Sequence, residues 1–252
     1  MVAGQTIDAL GQFKLHPLFG EFGKSIGFSQ SELMMIIATV LIPVLVCLGM
    51  RRKAIVPDRF QAATEMCYEF VHDMSLSTLG PAGKGFFPFI FSLFFFILTG
   101  NYLGLLPFSF AFTSHIVVTV TLALLVFIMA IIVSFKYQGL KFFAHFMPEG
   151  APVAMAPLLV PIEILSYLSR PVSLSIRLFA NMVAGHVMLI MFAAFTIMLA
   201  SSFLGVAIGG FLGIFPIALN IALIALELLV GALQAYVFAI LSCMYLREAI
   251  GH

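Results

Sequence analysis

The chain has 252 residues, 62% of them hydrophobic and 9% charged, with a formal net charge of +1 and a mean hydropathy of +1.16. Composition this apolar lies far outside soluble averages and describes a polytopic, all-α membrane protein in a single membrane domain. A near-zero net charge leaves no basic surface for nucleic acid. Cys47, Cys67 and Cys243 are scattered without CxxC spacing, so they read as small apolar residues, with no metal site and no cofactor expected.

Residues 1–27 are polar and glycine-bearing, without the basic and apolar regions of a cleaved signal peptide, and are placed outside. The first span covers 30–50, with its apolar run at Leu33–Met50, an expected kink at Pro43 and a closing cluster of Arg51, Arg52 and Lys53. That cluster puts this end of the span in the cytoplasm. Over 57–78, Phe60, Ala63, Cys67, Phe70 and Met74 recur at helical spacing while Arg59, Gln61, Glu65, His72 and Asp73 lie mostly elsewhere. This is the pattern of an amphipathic helix on the cytoplasmic face, and equally of a helix that contacts a partner.

Two further spans follow at 86–106 and 115–136, joined by a short outside loop, Pro107–Ser114. Two long apolar segments, 152–202 and 206–248, complete the chain, with Gly205, Gly209 and Gly213 at the small-xxx-small spacing of tightly packed membrane helices. Eight basic residues fall on inside segments (Arg51, Arg52, Lys53, Arg59, Lys84, Lys136, Lys141, Arg247) against two outside, Lys14 and Lys24. The bias places the N-terminus outside and the C-terminus in the cytoplasm. Forty to forty-five helical residues rise ~60–65 Å, about twice the ~30 Å of hydrocarbon. Either Pro171 and Pro216 break the last two segments, or both helices are strongly inclined.

The stretch from Pro161 to His186 is where charge enters apolar sequence: it carries Glu163, Arg170, Arg177, Asn181 and His186. No further Asp, Glu, Lys or Arg occurs between Arg177 and Glu227. A charge in mid-membrane costs roughly 2.5–3.5 kcal/mol or more. Ser166, Ser169, Ser173, Arg177, Ala180 and Ala184 share one side of the helix, polar before Arg177 and small after it. His186, nine residues on, faces the other way.

Folding the two long segments as an antiparallel hairpin about the turn near 201–207 sets Arg177 level with Gln234, and His186 level with Glu227. Asn220, Glu227 and Gln234 repeat every seven residues and so share nearly one face of the last helix. In lipid, such a face must meet polar groups or water.

The run from Ser173 to Gly185 (SLSIRLFANMVAG), then Glu227 and Gln234-Ala-Tyr-Val-Phe, resembles subunit a of F-type ATP synthases, as does Asn101-Tyr-Leu-Gly-Leu-Leu-Pro107. The match extends over most of residues 30–250. The resemblance implies a stator subunit of a rotary motor, providing two offset proton half-channels beside a ring of c subunits. Arg177 would face that ring, with Gln234 its partner across the hairpin. Asn181, His186 and Glu227 match the half-channel open to the outside, in the order of mitochondrial-like members. Glu163 matches an acidic position near the cytoplasmic half-channel, and Asn220, Ser173 and His115 join the same proton-translocation set. Peripheral-stalk b subunits and membrane lipid are the other implied partners, and the bacterial inner membrane the location. The chain would not be an enzyme alone, and no GxxxxGK[ST] nucleotide loop occurs.

Two other classes compete. A secondary transporter calls for internal repeats and paired broken helices, whereas charge here is concentrated in the last two segments. An intramembrane hydrolase calls for a nucleophile–base pair or an HExxH motif, which the sequence lacks.

Overall fold

Where the sequence loses its charges, it is helical. A computed structural model describes residues 29–50, 58–106, 111–139, 155–200 and 206–251. Among them run six α-helices: α1 (Gln30–Gly49), α2 (Arg59–Leu79), α3 (Gly83–Leu105), α4 (Ile116–Tyr137), α5 (Ala156–Ala200) and α6 (Val206–Ile250). All but α2 are long and apolar enough to cross a membrane. The segment 1–27, the basic cluster 51–53, loop residues 107–110, Lys141 and the turn at 201–205 lie outside the described residues.

The helix ends follow from local chemistry. Glu32 reaches back to the Ser29 backbone N–H at 2.6 Å and to its hydroxyl, closing the first turn of α1. Asp58 accepts the Arg59 N–H at 2.9 Å to start α2. Gly80, with φ +62°, ends α2 in a conformation that only glycine adopts without strain, and a 3₁₀ turn over Gly80–Ala82 leads into α3.

The face that α2 buries is Val71, Met74, Ser75 and Leu79, with Gln61 at its start. Of the expected apolar stripe only Met74 is in it; Phe60, Ala63, Cys67 and Phe70 are exposed. The stripe is only partly covered: Phe70 packs on Phe94 and Tyr236, and Phe60, Ala63 and Cys67 line a shallow pocket against Ile42, Val46 and Phe95.

The core is built by α3, α4 and α6 with one turn of α5 and the Val71, Met74 and Leu79 face of α2. Ile90, Leu93, Phe94 and Ile97 of α3 meet Ala123, Val126, Ala130 and Val133 of α4, Leu174 and Leu178 of α5, and Ala235, Phe238, Ala239, Cys243 and Leu246 of α6. Alanines at successive turns let the helix backbones approach closely, which matters in lipid because apolar surface alone gives no net drive to associate. The peripheral α1 buries only Ser31, Ala38 and Gly49 and turns Ile36, Val40, Val44 and Leu48 outward.

Neither long segment is broken. Both α5, with Pro161 and Pro171 inside it, and α6, with Pro216, continue as single helices of 45 residues. Each is about 67 Å long at 1.5 Å per residue, more than twice ~30 Å of hydrocarbon. Keeping such a length in lipid requires an inclination of roughly 60° from the membrane normal. The pair is antiparallel: His186 contacts Glu227, and Arg170, earlier on α5, contacts Glu248, later on α6.

Ala111–Ser114, the end of the connection between α3 and α4, is buried, and Phe112–Ser114 forms a 3₁₀ turn. Phe112 packs against Phe96, ring centroids 5.2 Å apart, and fills the space above Gly100, where any β-carbon would collide with its ring. The absence of a side chain at Gly100 pulls this loop inward.

Candidate functional site

The expected juxtaposition of His186 and Glu227 is present, and it is direct. His186 Nδ1 lies 2.8 Å from Glu227 Oε1, and His186 Nε2 lies 3.1 Å from the carbonyl oxygen of Gly104. A carbonyl only accepts, so Nε2 carries a proton and donates it. The Nδ1–Oε1 line then holds one proton whichever side owns it: neutral imidazole with carboxylic acid, or imidazolium with carboxylate. Both arrangements are net neutral, which is how two titratable groups can be buried among apolar helices without an uncompensated charge.

Two glycines make the approach possible. A β-carbon at Gly185 would stand 2.5 Å from Glu227 Oε1. One at Gly104 would stand 2.6 Å from the Ala111 β-carbon and 3.6 Å from His186 Nε2. Gly185 thus admits the carboxylate beside α5, and Gly104 admits the inward loop beside α3.

The second carboxylate oxygen, Glu227 Oε2, is buried with no hydrogen-bond partner among the described residues. Glu227 and Asn181 are the polar side chains lining a cavity of about 160 Å³ between α5 and α6, walled by Met188, Leu223, Leu226 and Val230. Such a volume holds several waters at ~30 Å³ each, and the two side chains offer them partners. Asn181 lies four residues before Gly185 and four after Arg177, so α5 presents Arg177, Asn181 and Gly185 at successive turns. On α6, Asn220 has its side-chain oxygen buried and unpartnered, and Gln234 is half-buried.

One turn of α3 braces both sides of the hairpin. Asn101, fully buried, donates from Nδ2 to the carbonyl of Gly231 on α6 at 3.0 Å. Gly104 accepts from His186 on α5. Asn101 and Gly104 both belong to the run that carried the family resemblance, yet neither counted as a site residue there. The motif was the available signal. A carbonyl acceptor leaves none, since any residue type supplies one.

Arg177 stands apart from this cluster. It is exposed, and it forms no hydrogen bond or ion pair among the described residues. The stripe anticipated around it, Ser166, Ser169, Ser173, Arg177, Ala180 and Ala184, is exposed along its whole length. Around it α5 also exposes Ile162, Leu165, Val172, Ile176 and Met188, and α6 exposes Ile221, Leu226, Leu229 and Leu233. This long surface is apolar except for the serines and one guanidinium. Glu163 is half-buried two turns into α5. His115 sits at the start of α4, where burial pushes its imidazole below the usual range and the nearby Glu32 carboxylate partly offsets the shift.

The model of the family described as ATP synthase A chain matches residues 32–247. The chain belongs to the ATP synthase A chain family. It is 72% identical over its full length to the whole of ATP synthase subunit a from Gluconacetobacter diazotrophicus. It is 65% identical, again end to end, to that of Gluconobacter oxydans, and 53% identical over 99% of both chains to that of Granulibacter bethesdensis. Within the ATP synthase A chain match lie Asn101, Gly104, Arg177, Asn181, His186, Glu227 and Gln234.

Proposed function

We propose that the chain is the proton-conducting stator subunit of a bacterial ATP synthase, carrying protons to and from a rotor ring seated on the uncovered face of α5 and α6. The carrying observation is the pairing of a buried, proton-sharing His186–Glu227 couple with a lone exposed Arg177 two turns before Gly185 on the same helix. Glu227 Oε2 takes up a proton from water in the Asn181 cavity while the shared proton moves along the Nδ1–Oε1 line. Releasing one returns the pair to neutrality. Asn181, one turn from Arg177, hands the path on to the ring-facing surface, with Asn220 and Gln234 extending the polar face of α6.

At that surface, a rotor carboxylate must be ionised opposite the stator and neutral where it crosses lipid. Arg177 favours the ionised form, because a guanidinium keeps its charge when desolvated. Glu163, Ser173 and His115 serve the approaches to this path on the two sides. Ring c subunits cover the Arg177 face, peripheral-stalk b subunits join the complex elsewhere, and lipid meets α1 and the apolar side of α2. The potential supplies ~2.3 kcal/mol per charge per 100 mV.

The functional reading is tested by capture from solubilised membranes. The tagged chain should bring down a ring of small apolar subunits, and membranes stripped of the catalytic sector should conduct protons only when the chain is present. Purification of the chain alone, with an organic substrate moving instead of protons, would replace this reading with a transporter.

The eight-to-two bias in basic residues sets the N-terminus outside and the C-terminus in the cytoplasm. Single cysteines added at either end should be labelled by an impermeant maleimide accordingly. Labelling at residue 252 from the outside only would invert the topology.

A further inference from the structure

Arg170 stands seven residues before Arg177 on α5, two turns and about 10.5 Å along the axis, and about 20° from it around the helix. A second cation therefore issues from nearly the same side. It does not lie free there. Its guanidinium pairs with the Glu248 carboxylate near the end of α6, 5.2 Å from the centre of the Tyr167 ring and 5.6 Å from that of Tyr245. The clamp is itself braced. Tyr167 packs on Phe127 of α4 with centroids 5.2 Å apart, and Gln138 Nε2 donates to the carbonyls of Glu248 at 2.9 Å and Ala249 at 3.0 Å.

We propose that Glu248 is a positioning residue: with Tyr167 and Tyr245 it holds Arg170 against α6, so that, among the described residues of this face, a passing rotor carboxylate meets the guanidinium of Arg177 and not that of Arg170 as well. The inference rests on the function proposed above. Its physical basis is the inclination of α5. At roughly 60° from the normal, a 10.5 Å step separates the two arginines by about 9 Å along the membrane and only about 5 Å in depth. A carboxylate carried past at one depth comes within reach of both side chains. A guanidinium binds carboxylate through a two-pronged fork, so a second free one would retain the carboxylate after Arg177 lets it go. With Nη1 held by Glu248 Oε2 and its faces against tyrosines, Arg170 cannot present its full fork to a passing carboxylate.

The test uses membrane vesicles containing the whole complex, with complex content measured separately. Glu248→Gln should lower ATP synthesis and ATP-driven proton pumping roughly fivefold or more, by freeing Arg170. Arg170→Gln alone should stay within about twofold of wild type, and adding it to Glu248→Gln should restore that level. Arg170→Met should rescue as well as glutamine, since what matters is the loss of charge. Arg170→Lys should not rescue, and Glu248→Asp should retain most activity. If the pair were only a structural tie, breaking it from either side would be equally harmful and the double variant would not recover. Either of those results, or a normal rate in Glu248→Gln, overturns the proposal. Arg177→Ala in the same vesicles separates the two layers: its inactivity keeps the functional reading while the clamp stands or falls on its own variants. Its activity would remove the reading and the clamp together.

Discussion

Arg177→Ala should abolish ATP synthesis, by on the order of 10²-fold or more, in a complex that still assembles. Arg177 is exposed on the uncovered face and makes no ion pair among the described residues, so the fold does not depend on it. On the function proposed above, its loss would remove the fixed charge that keeps a ring carboxylate ionised opposite the stator. Arg177→Lys should fail nearly as badly. Lysine retains a cation but has a shorter reach and no planar fork, and it can lose its proton when desolvated. The alanine variant should also leak protons passively, because nothing then separates the inward path from the outward one. Moving the arginine to position 234, as Arg177→Gln with Gln234→Arg, should recover part of the activity from the facing helix. Synthesis and proton pumping in vesicles, normalised to assembled complex, decide the matter. Near-normal synthesis by Arg177→Ala would refute the central role given to this residue.

Glu227→Gln should slow proton flux by about 10²-fold while leaving the fold intact. The amide matches the carboxyl in shape and can still bond His186 across the 2.8 Å line, so packing against Gly185 is kept. What disappears is the capacity of this carboxyl, which lines the Asn181 cavity, to take a second proton. Exchanging the residues, as His186→Glu with Glu227→His, keeps the chemistry but moves the imidazole away from the Gly104 carbonyl, and should retain part of the flux. Passive proton conduction driven by a potassium diffusion potential measures this step without ATP. Wild-type conduction in Glu227→Gln would exclude the pair from the path.

Much of this architecture is legible in the sequence because lipid enforces simple rules. Five apolar runs fall where the five long apolar helices are, and Arg177 stands out because no Asp, Glu, Lys or Arg follows it before Glu227. The level pairing of His186 with Glu227 follows from antiparallel counting across the turn. Other features depend on three-dimensional packing that periodicity does not carry. The stripe on α2 is apolar, but whether protein or lipid covers it depends on the helices beside it. That Ala111–Ser114 is buried depends on Gly100, which opens a place for Phe112. Glu248 looks like an ordinary charge at a helix end, and only the return of α6 beside α5 brings it to Arg170.

The brace at the end of α3 acquires a mechanical meaning once a ring turns beside the hairpin. Every push that advances the ring returns an equal sideways load to α5 and α6. Smooth apolar helices in lipid slide past one another with little resistance, whereas a hydrogen bond has a direction and resists shear. Asn101 grips α6 and Gly104 holds His186 of α5 within a single helical turn. That turn is an anchor bolt for the hairpin, and it carries recoil into the core at the same place where the proton couple sits.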